Sequence, residues 1–263
     1  MAEFILVNGA SGSGKSHAAL SLNPEKSIVI CPENKILPFG GAMAKYKTII
    51  DQNGNVDLAK SNFYPINKVN QPNNNKRASD PGIYEALQFI DEERPEIKVA
   101  LIDTFTYAMV ESVMREINVD NYKKFNVFAQ EFYELVKLIP RLRKDLFVIM
   151  TSHIEEDQDF SGVRRTSFKI PAGKLTKQTI VPEGLFTVVL FAESTMIDGK
   201  PVHFFSTVNS GTNTCKAPDG MFPAARIPND YRFVMDCYYA FYLGKEQPKL
   251  PATFQLNQQN TNS

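Results

Sequence analysis

Short apolar runs alternate with amphipathic stretches over the first 150 residues of the chain. The apolar runs predict four β-strands, at residues 4–7, 27–31, 99–102 and 146–151. Between the runs, apolar residues at helical spacing predict helices at residues 15–22, 81–93 and 126–139. Because strands that are joined by helices favour right-handed crossovers, this half of the chain predicts a mostly parallel central sheet in an α/β fold.

The pattern changes after residue 180. Residues 185–193 and 202–208 are rich in β-forming residues and flank Asp198-Gly199, which predicts a β-hairpin, and residues 229–243 have the spacing of an amphipathic helix. We therefore expect one domain over residues 1–245, with a polar insertion at 40–80. The polar stretch 246–263 predicts a disordered tail.

The composition limits the classes of function and the cell compartment that we expect for the protein. The 263 residues are 43% hydrophobic, and 29 basic residues balance 29 acidic ones, so no overall positive field points to nucleic acid. Cys31, Cys215 and Cys237 lack a metal-ligand spacing, which is typical of reduced thiols in a cytoplasmic protein. The apolar runs are far below the ~18 residues of a membrane span, so we expect no membrane association and no signal peptide.

The most specific motif follows the first predicted strand and opens the first predicted helix. It is a phosphate-binding loop (P-loop) made of Gly9, Ala10, Ser11, Gly12, Ser13, Gly14, Lys15 and Ser16. Its glycines allow successive backbone N–H groups to point at phosphate oxygens. Lys15 is expected to reach the β- and γ-phosphates, and the hydroxyl of Ser16 to ligate Mg²⁺. The motif therefore predicts ATP and Mg²⁺ as cofactors.

Polar residues follow three more of the predicted strands. Asp103 ends the 99–102 strand and is a candidate Mg²⁺ residue; an Asp that caps the following turn is the alternative. Since Thr104 is not an acid, the candidate for activating water is Glu33, just past the 27–31 strand, unless Glu33 is a solvated loop carboxylate. His153 is a candidate γ-phosphate sensor, or a histidine that only bonds the backbone. His17 and His203 are assigned structural roles.

A charged segment follows His153. Residues 154–160 carry four acids, and residues 161–178 carry five bases and no acid. We interpret this segment as a long loop that either contacts a DNA backbone or reaches a neighbouring subunit, with a solvated loop as the alternative. Phe168 could stack on a base. The basic candidates are Arg164, Arg165, Lys169, Lys174 and Lys177.

These motifs together resemble the RecA-like P-loop NTPase core, and in particular its minimal bacteriophage form, which includes single-strand-annealing recombinases. The resemblance covers about residues 1–243. It rests on residues 4–16, 27–33, 99–103 and 146–153, and on short matches at 173–175, 180–183, 213–218, 220–222 and 227–230. It implies a C-terminal β-hairpin and helix beside the parallel sheet, and the roles given above for the P-loop, Asp103, Glu33 and His153. It also implies Lys174 and Lys177 as candidate lysines that act in trans.

The leading hypothesis is a DNA-stimulated ATPase that acts on single-stranded DNA in phage recombination or replication. It would form a ring or filament of identical subunits in the host cytoplasm, with a replication or recombination protein as a possible partner. A nucleotide-gated adaptor, such as a helicase loader, is the non-enzymatic alternative. A P-loop kinase with Arg164 and Arg165 as lid arginines is the third.

Overall fold

A computed structural model of the chain describes residues 2–66, 82–115, 132–158, 164–169, 182–252 and 254. Residues 111–115, 157, 158, 164, 165 and 182 are described by their backbone alone. The strands are β1 Glu3–Gly9, β2 Ser27–Cys31, β3 Phe63–Pro65, β4 Val99–Ile102, β5 Phe147–Ser152, β6 Ile154–Gln158, β7 Arg164–Phe168, β8 Val188–Ile197, β9 Lys200–Ser206 and β10 Arg226–Pro228. The α-helices are α1 Ala42–Lys45, α2 Ile83–Glu93, α3 Phe105–Arg115, α4 at residues 132–138 and α5 Tyr231–Tyr242.

Eight strands form the central sheet, in the order β10-β9-β8-β1-β5-β4-β2-β3. The six strands from β8 to β3 are parallel, while β9 and β10 are antiparallel to their neighbours. This confirms the predicted mostly parallel α/β sheet with a hairpin and a helix in the C-terminal part.

The sheet is buried on both faces, as parallel sheets usually are. Because side chains alternate along a strand, Ile5 and Val7 of β1 pack on one face and Leu6 on the other. The Leu6 face is covered by α2, α3 and α4. The opposite face is covered by α5 and by a short 3₁₀ helix, His17–Ser21. None of the helices in the described part of the chain is long and apolar enough to cross a membrane.

The first helix differs from its prediction. Residues 15–22 were expected to form a helix, but only His17–Ser21 are helical, and they form a 3₁₀ helix. Asn23 precedes Pro24, which disfavours the helical conformation at Asn23 and leaves little chain after the P-loop. The hydroxyl of Ser21 also donates to the carbonyl of Ala18 (2.7 Å), so a side chain of this helix bonds to the helix backbone at its end.

The expected polar insertion at 40–80 contributes to the core in its described part. β3 pairs in parallel with β2, and Leu58, Tyr64 and Ile66 are buried. The sequence prediction missed β3 because three residues are too few to show a periodic pattern. Residues 67–80 lie outside the described residues.

The polar C-terminal stretch also begins with packed residues. Leu250 packs against the core on the α5 side, and Phe254 is buried. Both apolar side chains thereby lose part of their contact with water, and the disordered tail expected from residue 246 stays a prediction. Residues 255–263 lie outside the described residues.

Candidate phosphate-binding site

The candidate site lies where the parallel strands end. Gly9 ends β1, Asp103 follows β4, His153 follows β5, and Glu33 lies two residues beyond β2. Because these strands run in the same direction, their carboxyl ends meet at one edge of the sheet, the usual place for ligands of open α/β folds. A cleft with a volume of 280 Å³ opens there, lined by Ser11, Gly12, Ser13, Gly14, Lys15, Ser16, His17, Lys35, Ile36, Pro38, Thr104, His153 and His203.

The P-loop owes its shape to its glycines. Gly12 and Gly14 have φ angles of 78° and 98°, which L-residues other than glycine rarely adopt. A Cβ atom on Gly14 would lie 2.8 Å from the Cγ of His203, and one on Gly9 would lie 2.7 Å from the carbonyl oxygen of Ala192. The loop therefore packs directly against the hairpin formed by β8 and β9.

Lys15 is the buried cation of the loop. Its ammonium donates hydrogen bonds to the carbonyl oxygens of Gly9 (2.6 Å) and Ala10 (2.8 Å). Burial lowers the pKa of Lys15 to about 8, and the negative charge of Asp103 opposes that shift. Lys15 is therefore charged at neutral pH and held at the carboxyl end of β1.

Asp103 is buried beside the loop. Its Oδ1 atom accepts hydrogen bonds from the hydroxyls of Thr151 (2.9 Å) and Thr104 (3.3 Å). Its Oδ2 atom is buried without a hydrogen-bond partner in the described part of the chain. Two neighbouring hydroxyls thus orient the carboxylate and leave one oxygen with its bonding capacity unused.

These residues fit a magnesium ion. Mg²⁺ is bound in nucleotide sites by one or two protein oxygens together with phosphates and water. Asp103 offers the unused Oδ2 atom, and Ser16 makes no side-chain capping bond to the 3₁₀ helix that follows it. No cluster of three or more His, Cys, Asp or Glu side chains suited to a metal exists among the described residues, so phosphate and water would have to complete the ligand shell.

Glu33 lies beside the cleft and pairs with a lining residue, Lys35, that the sequence did not suggest as its partner. Its Oε2 atom forms an ion pair with Lys35, and its Oε1 atom is buried without a hydrogen-bond partner among described residues. The ammonium of Lys35 lies 6.0 Å from the ring centroid of Tyr107. Glu33 is thus a mostly buried carboxylate, and not the solvated loop residue that was its alternative.

His153 is half-buried at the end of β5. Its backbone N–H donates to the hydroxyl of Thr106 (2.9 Å), and its ring meets that of Tyr107 edge-on at 5.5 Å. Burial lowers the pKa of His153 to about 4, and the positive charges of Lys15 and Lys35 contribute to that shift. The imidazole is therefore neutral at physiological pH and can donate or accept a hydrogen bond in the cleft.

The charged segment after His153 is partly regular where a loop was expected. β6 pairs with β7 in an antiparallel hairpin, with Asp157 opposite Arg165 and Gln158 opposite Arg164. The pairing of two charged segments is not visible in the helix-and-strand periodicity of either segment taken alone. Lys169 follows β7 and is exposed, whereas Lys174 and Lys177 lie outside the described residues.

The expectation that Phe168 could stack on a base is wrong, because its side chain is buried. It is 2% exposed and packs with Phe105 and Phe132 in the core. An alternating strand turns this side chain inward, between the polar residues on either side of it. It therefore anchors the hairpin to the domain.

His203, His17 and Lys35 are the site residues that sequence reasoning missed. His17 and His203 were assigned structural roles, yet both line the cleft, with their rings 5.6 Å apart. Burial and the nearby His17 lower the pKa of His203. Only the pairing of β8 with β1 brings His203 to Gly14, so no local pattern could have shown it.

The fold and the loop are together those of an α/β protein with a phosphate-loop motif at the carboxyl end of its first strand. No protein-family description matches the sequence, and no curated protein sequence is similar to it. Among solved structures, the chain is similar to a KaiC-like protein from the hyperthermophilic archaeon Pyrococcus horikoshii. The two are 12% identical, with a TM-score of 0.41, over 78% of this chain and 77% of that one. A likeness at this level leaves the function to be argued from the site itself.

Proposed function

We propose that the protein is a Mg²⁺-dependent ATPase of the RecA-like type. The observation that carries this proposal is that Lys15 of the P-loop and the buried, partly unbonded carboxylate of Asp103 lie at the same edge of the sheet, where the charge of Asp103 acts on Lys15. A loop of backbone amides, a cation and an oriented carboxylate are the parts that phosphoryl transfer requires, since its catalysis consists of positioning and charge stabilisation.

Each residue then has a distinct role. Lys15 neutralises the phosphate chain, and Ser16 and Asp103 would hold Mg²⁺, which supplies charge neutralisation at the β- and γ-phosphates. Glu33, once it is released from Lys35, would orient the attacking water and accept its proton. His153, neutral at physiological pH, would hydrogen-bond to the γ-phosphate and pass its presence to the hairpin formed by β6 and β7.

We propose single-stranded DNA as the partner, in recombination or replication of a phage, with the protein assembled as a ring or filament. The support is the position of the charged hairpin, which begins one residue after His153. Arg164 and Arg165 lie on β7, and Lys169 follows it with its side chain exposed. ATP binding would raise DNA affinity by fixing the hairpin, and hydrolysis would lower it.

The test is steady-state ATP hydrolysis with and without single-stranded DNA, at several salt concentrations. We expect Mg²⁺-dependent turnover that DNA stimulates, and that is absent in Lys15→Ala. Since phosphate contacts weaken with salt, the DNA stimulation should fall as salt rises. Turnover that persists in Lys15→Ala would refute the P-loop as its origin. Turnover that DNA does not change would remove DNA from the proposal.

A nucleotide-gated adaptor, such as a helicase loader, is the second candidate. It is favoured by two observations: Thr104 stands where a second acid could activate water, and Glu33 is paired with Lys35. The two candidates differ in Glu33→Gln, which in the ATPase should abolish turnover while ATP binding persists. Tight ATP binding by the wild type without any turnover, with DNA present or absent, would favour the adaptor.

A further inference from the structure

Lys35 is a second cation of the cleft, and no role assigned above accounts for it. It lies two residues after Glu33 and lines the cleft together with the P-loop, Thr104 and His153. Its side chain is 47% exposed, whereas that of Glu33 is 10% exposed. The ammonium can therefore move away from its partner without any rearrangement of the fold, while the carboxylate stays in place.

The ion pair between Lys35 and Glu33 leaves both side chains able to form further hydrogen bonds. Glu33 uses only its Oε2 atom, and its buried Oε1 atom has no hydrogen-bond partner among described residues. An ammonium has three donors, and Glu33 accounts for one of them. The ring of Tyr107 lies 6.0 Å from the ammonium and also meets the ring of His153 edge-on, so Lys35 and His153 share this aromatic neighbour.

Lys35 carries a positive charge and has hydrogen-bond donors to offer to an anion in the cleft. The other lysine that lines the cleft is Lys15, which bonds to two carbonyls of its own loop. His153 is neutral and adds no charge. Burial lowers the pKa of Lys35, but the hydrogen bond and the charge of Glu33 outweigh it, and the net shift is upward. Lys35 is therefore a fully charged ammonium at neutral pH, directed into a phosphate-binding cleft.

We propose that Lys35 binds the terminal phosphate of a nucleoside triphosphate, and that it leaves Glu33 to do so. The inference deepens the proposed function and rests on it. A triphosphate carries a terminal group that competes with the Glu33 carboxylate for the ammonium, and a diphosphate does not. The ion pair between Lys35 and Glu33 is thus formed with ADP bound and broken with ATP bound. Breaking the pair frees the Glu33 carboxylate to orient water.

This exchange distinguishes Lys35 from a structural ion pair. Exposed ion pairs contribute little to stability, so a pair kept only for stability would have no effect on nucleotide choice. A charge-assisted hydrogen bond to phosphate is considerably stronger than an exposed pair. Loss of Lys35 should therefore change the affinity for a triphosphate and leave the affinity for a diphosphate unchanged.

The experiment measures equilibrium binding of ADP and of a non-hydrolysable ATP analogue by calorimetry, with Mg²⁺ present. We expect Lys35→Ala to weaken binding of the analogue by about tenfold and to leave ADP within about twofold. Lys35→Arg should retain most of the preference. Lys60→Ala is the matched control, because Lys60 is an exposed lysine that is also paired with a nearby acid, Asp57.

Glu33→Gln completes a double-mutant cycle. In the wild-type background it should strengthen binding of the analogue by about threefold, because it removes the competitor for Lys35. In the Lys35→Ala background it should have no such effect. Because the readout is binding, a separate loss of hydrolysis in Glu33→Gln does not confuse the result.

The outcomes separate the inference from the function beneath it. Lys15-dependent ADP binding with an unchanged ratio of analogue to ADP affinity in Lys35→Ala would overturn the role of Lys35 alone. Equal weakening of both ligands would also overturn it, because Lys35 would then be a general charge in the cleft. Nucleotide binding that is absent from the wild type, or indifferent to Lys15→Ala, would overturn the proposed function itself.

Discussion

Gly14 allows the packing of the P-loop to be tested with a single methyl group. It is buried, has a φ of 98°, and a Cβ atom there would lie 2.8 Å from the Cγ and 2.9 Å from the Cβ of His203. Gly12 is its matched control, because it is exposed with a φ of 78° and a Cβ atom there would meet nothing within 4 Å. Alanine at either position therefore introduces backbone strain, and only Gly14→Ala adds a steric clash.

The two contributions have different sizes. An L-residue at positive φ costs about 1–2 kcal/mol, and this should be the whole effect of Gly12→Ala on the free energy of unfolding. Forcing extra atoms into a packed contact adds about 1–3 kcal/mol, so Gly14→Ala should cost that much more. The added cost should be high in this range, because the contacts are with the base of the histidine side chain, which cannot swing away.

A partner substitution isolates the clash. His203→Ala would keep the Cβ atom that lies 2.9 Å away, so His203→Gly is required. Urea unfolding of Gly14→Ala, His203→Gly and the double variant should give a coupling energy of about 1–3 kcal/mol, with the double variant more stable than the sum of the singles predicts. ATP affinity should recover in the same variant. A coupling energy near zero, or equal effects of Gly12→Ala and Gly14→Ala, would refute the packing of His203 on the loop.

Two further predictions concern Asp103 and His153. Asp103→Asn preserves the hydrogen bond from Thr151 but removes the carboxylate charge. The gain in ATP affinity that Mg²⁺ produces in the wild type should therefore be lost, while metal-free binding persists. A magnesium titration measures this gain, and an unchanged gain would remove Asp103 from the metal site. The pKa of His153 is lowered from 6.5 to about 4 in the native protein. Between pH 4 and pH 6.5 the unfolded chain therefore binds more protons than the native one. The free energy of unfolding should fall as the pH is lowered from 6.5 towards 4. His153→Gln should flatten this part of the pH profile of unfolding free energy, and an unaltered profile would contradict the burial of the imidazole.

The parts of the site that sequence analysis predicted are those that local patterns specify. The P-loop is eight consecutive residues, and Asp103 and His153 each lie at the end of a run that is predicted to be a buried strand. In a parallel sheet, residues after strands meet at one edge, so the sequence brings these residues together without knowledge of the strand order.

Lys35 and His203 escaped prediction for different reasons. Lys35 lies in an irregular segment, where no periodicity indicates the direction of a side chain. His203 lies on a strand that the β-forming residues at 202–208 predicted, but its position beside Gly14 depends on β8 pairing with β1, a contact between distant parts of the chain. The sequence analysis predicted a loop in place of β6 and β7, because each strand on its own is a run of charged residues and only their pairing makes them a hairpin.

The C-terminal half holds the P-loop in place, which explains how so short a helix can follow the loop. The hydroxyl of Tyr231, at the start of α5, donates a hydrogen bond to the carbonyl of Lys15 (2.8 Å), and its backbone N–H donates to the hydroxyl of Ser21 (3.0 Å). Its ring is fully buried and stacks on Phe205 of β9, the strand that carries His203. A five-residue 3₁₀ helix has too few hydrogen bonds to be stable alone, so tertiary contacts must supply its stability. The hairpin of β8 and β9 together with α5 is thus a structural part of the phosphate site, and any change that loosens it should act on nucleotide binding.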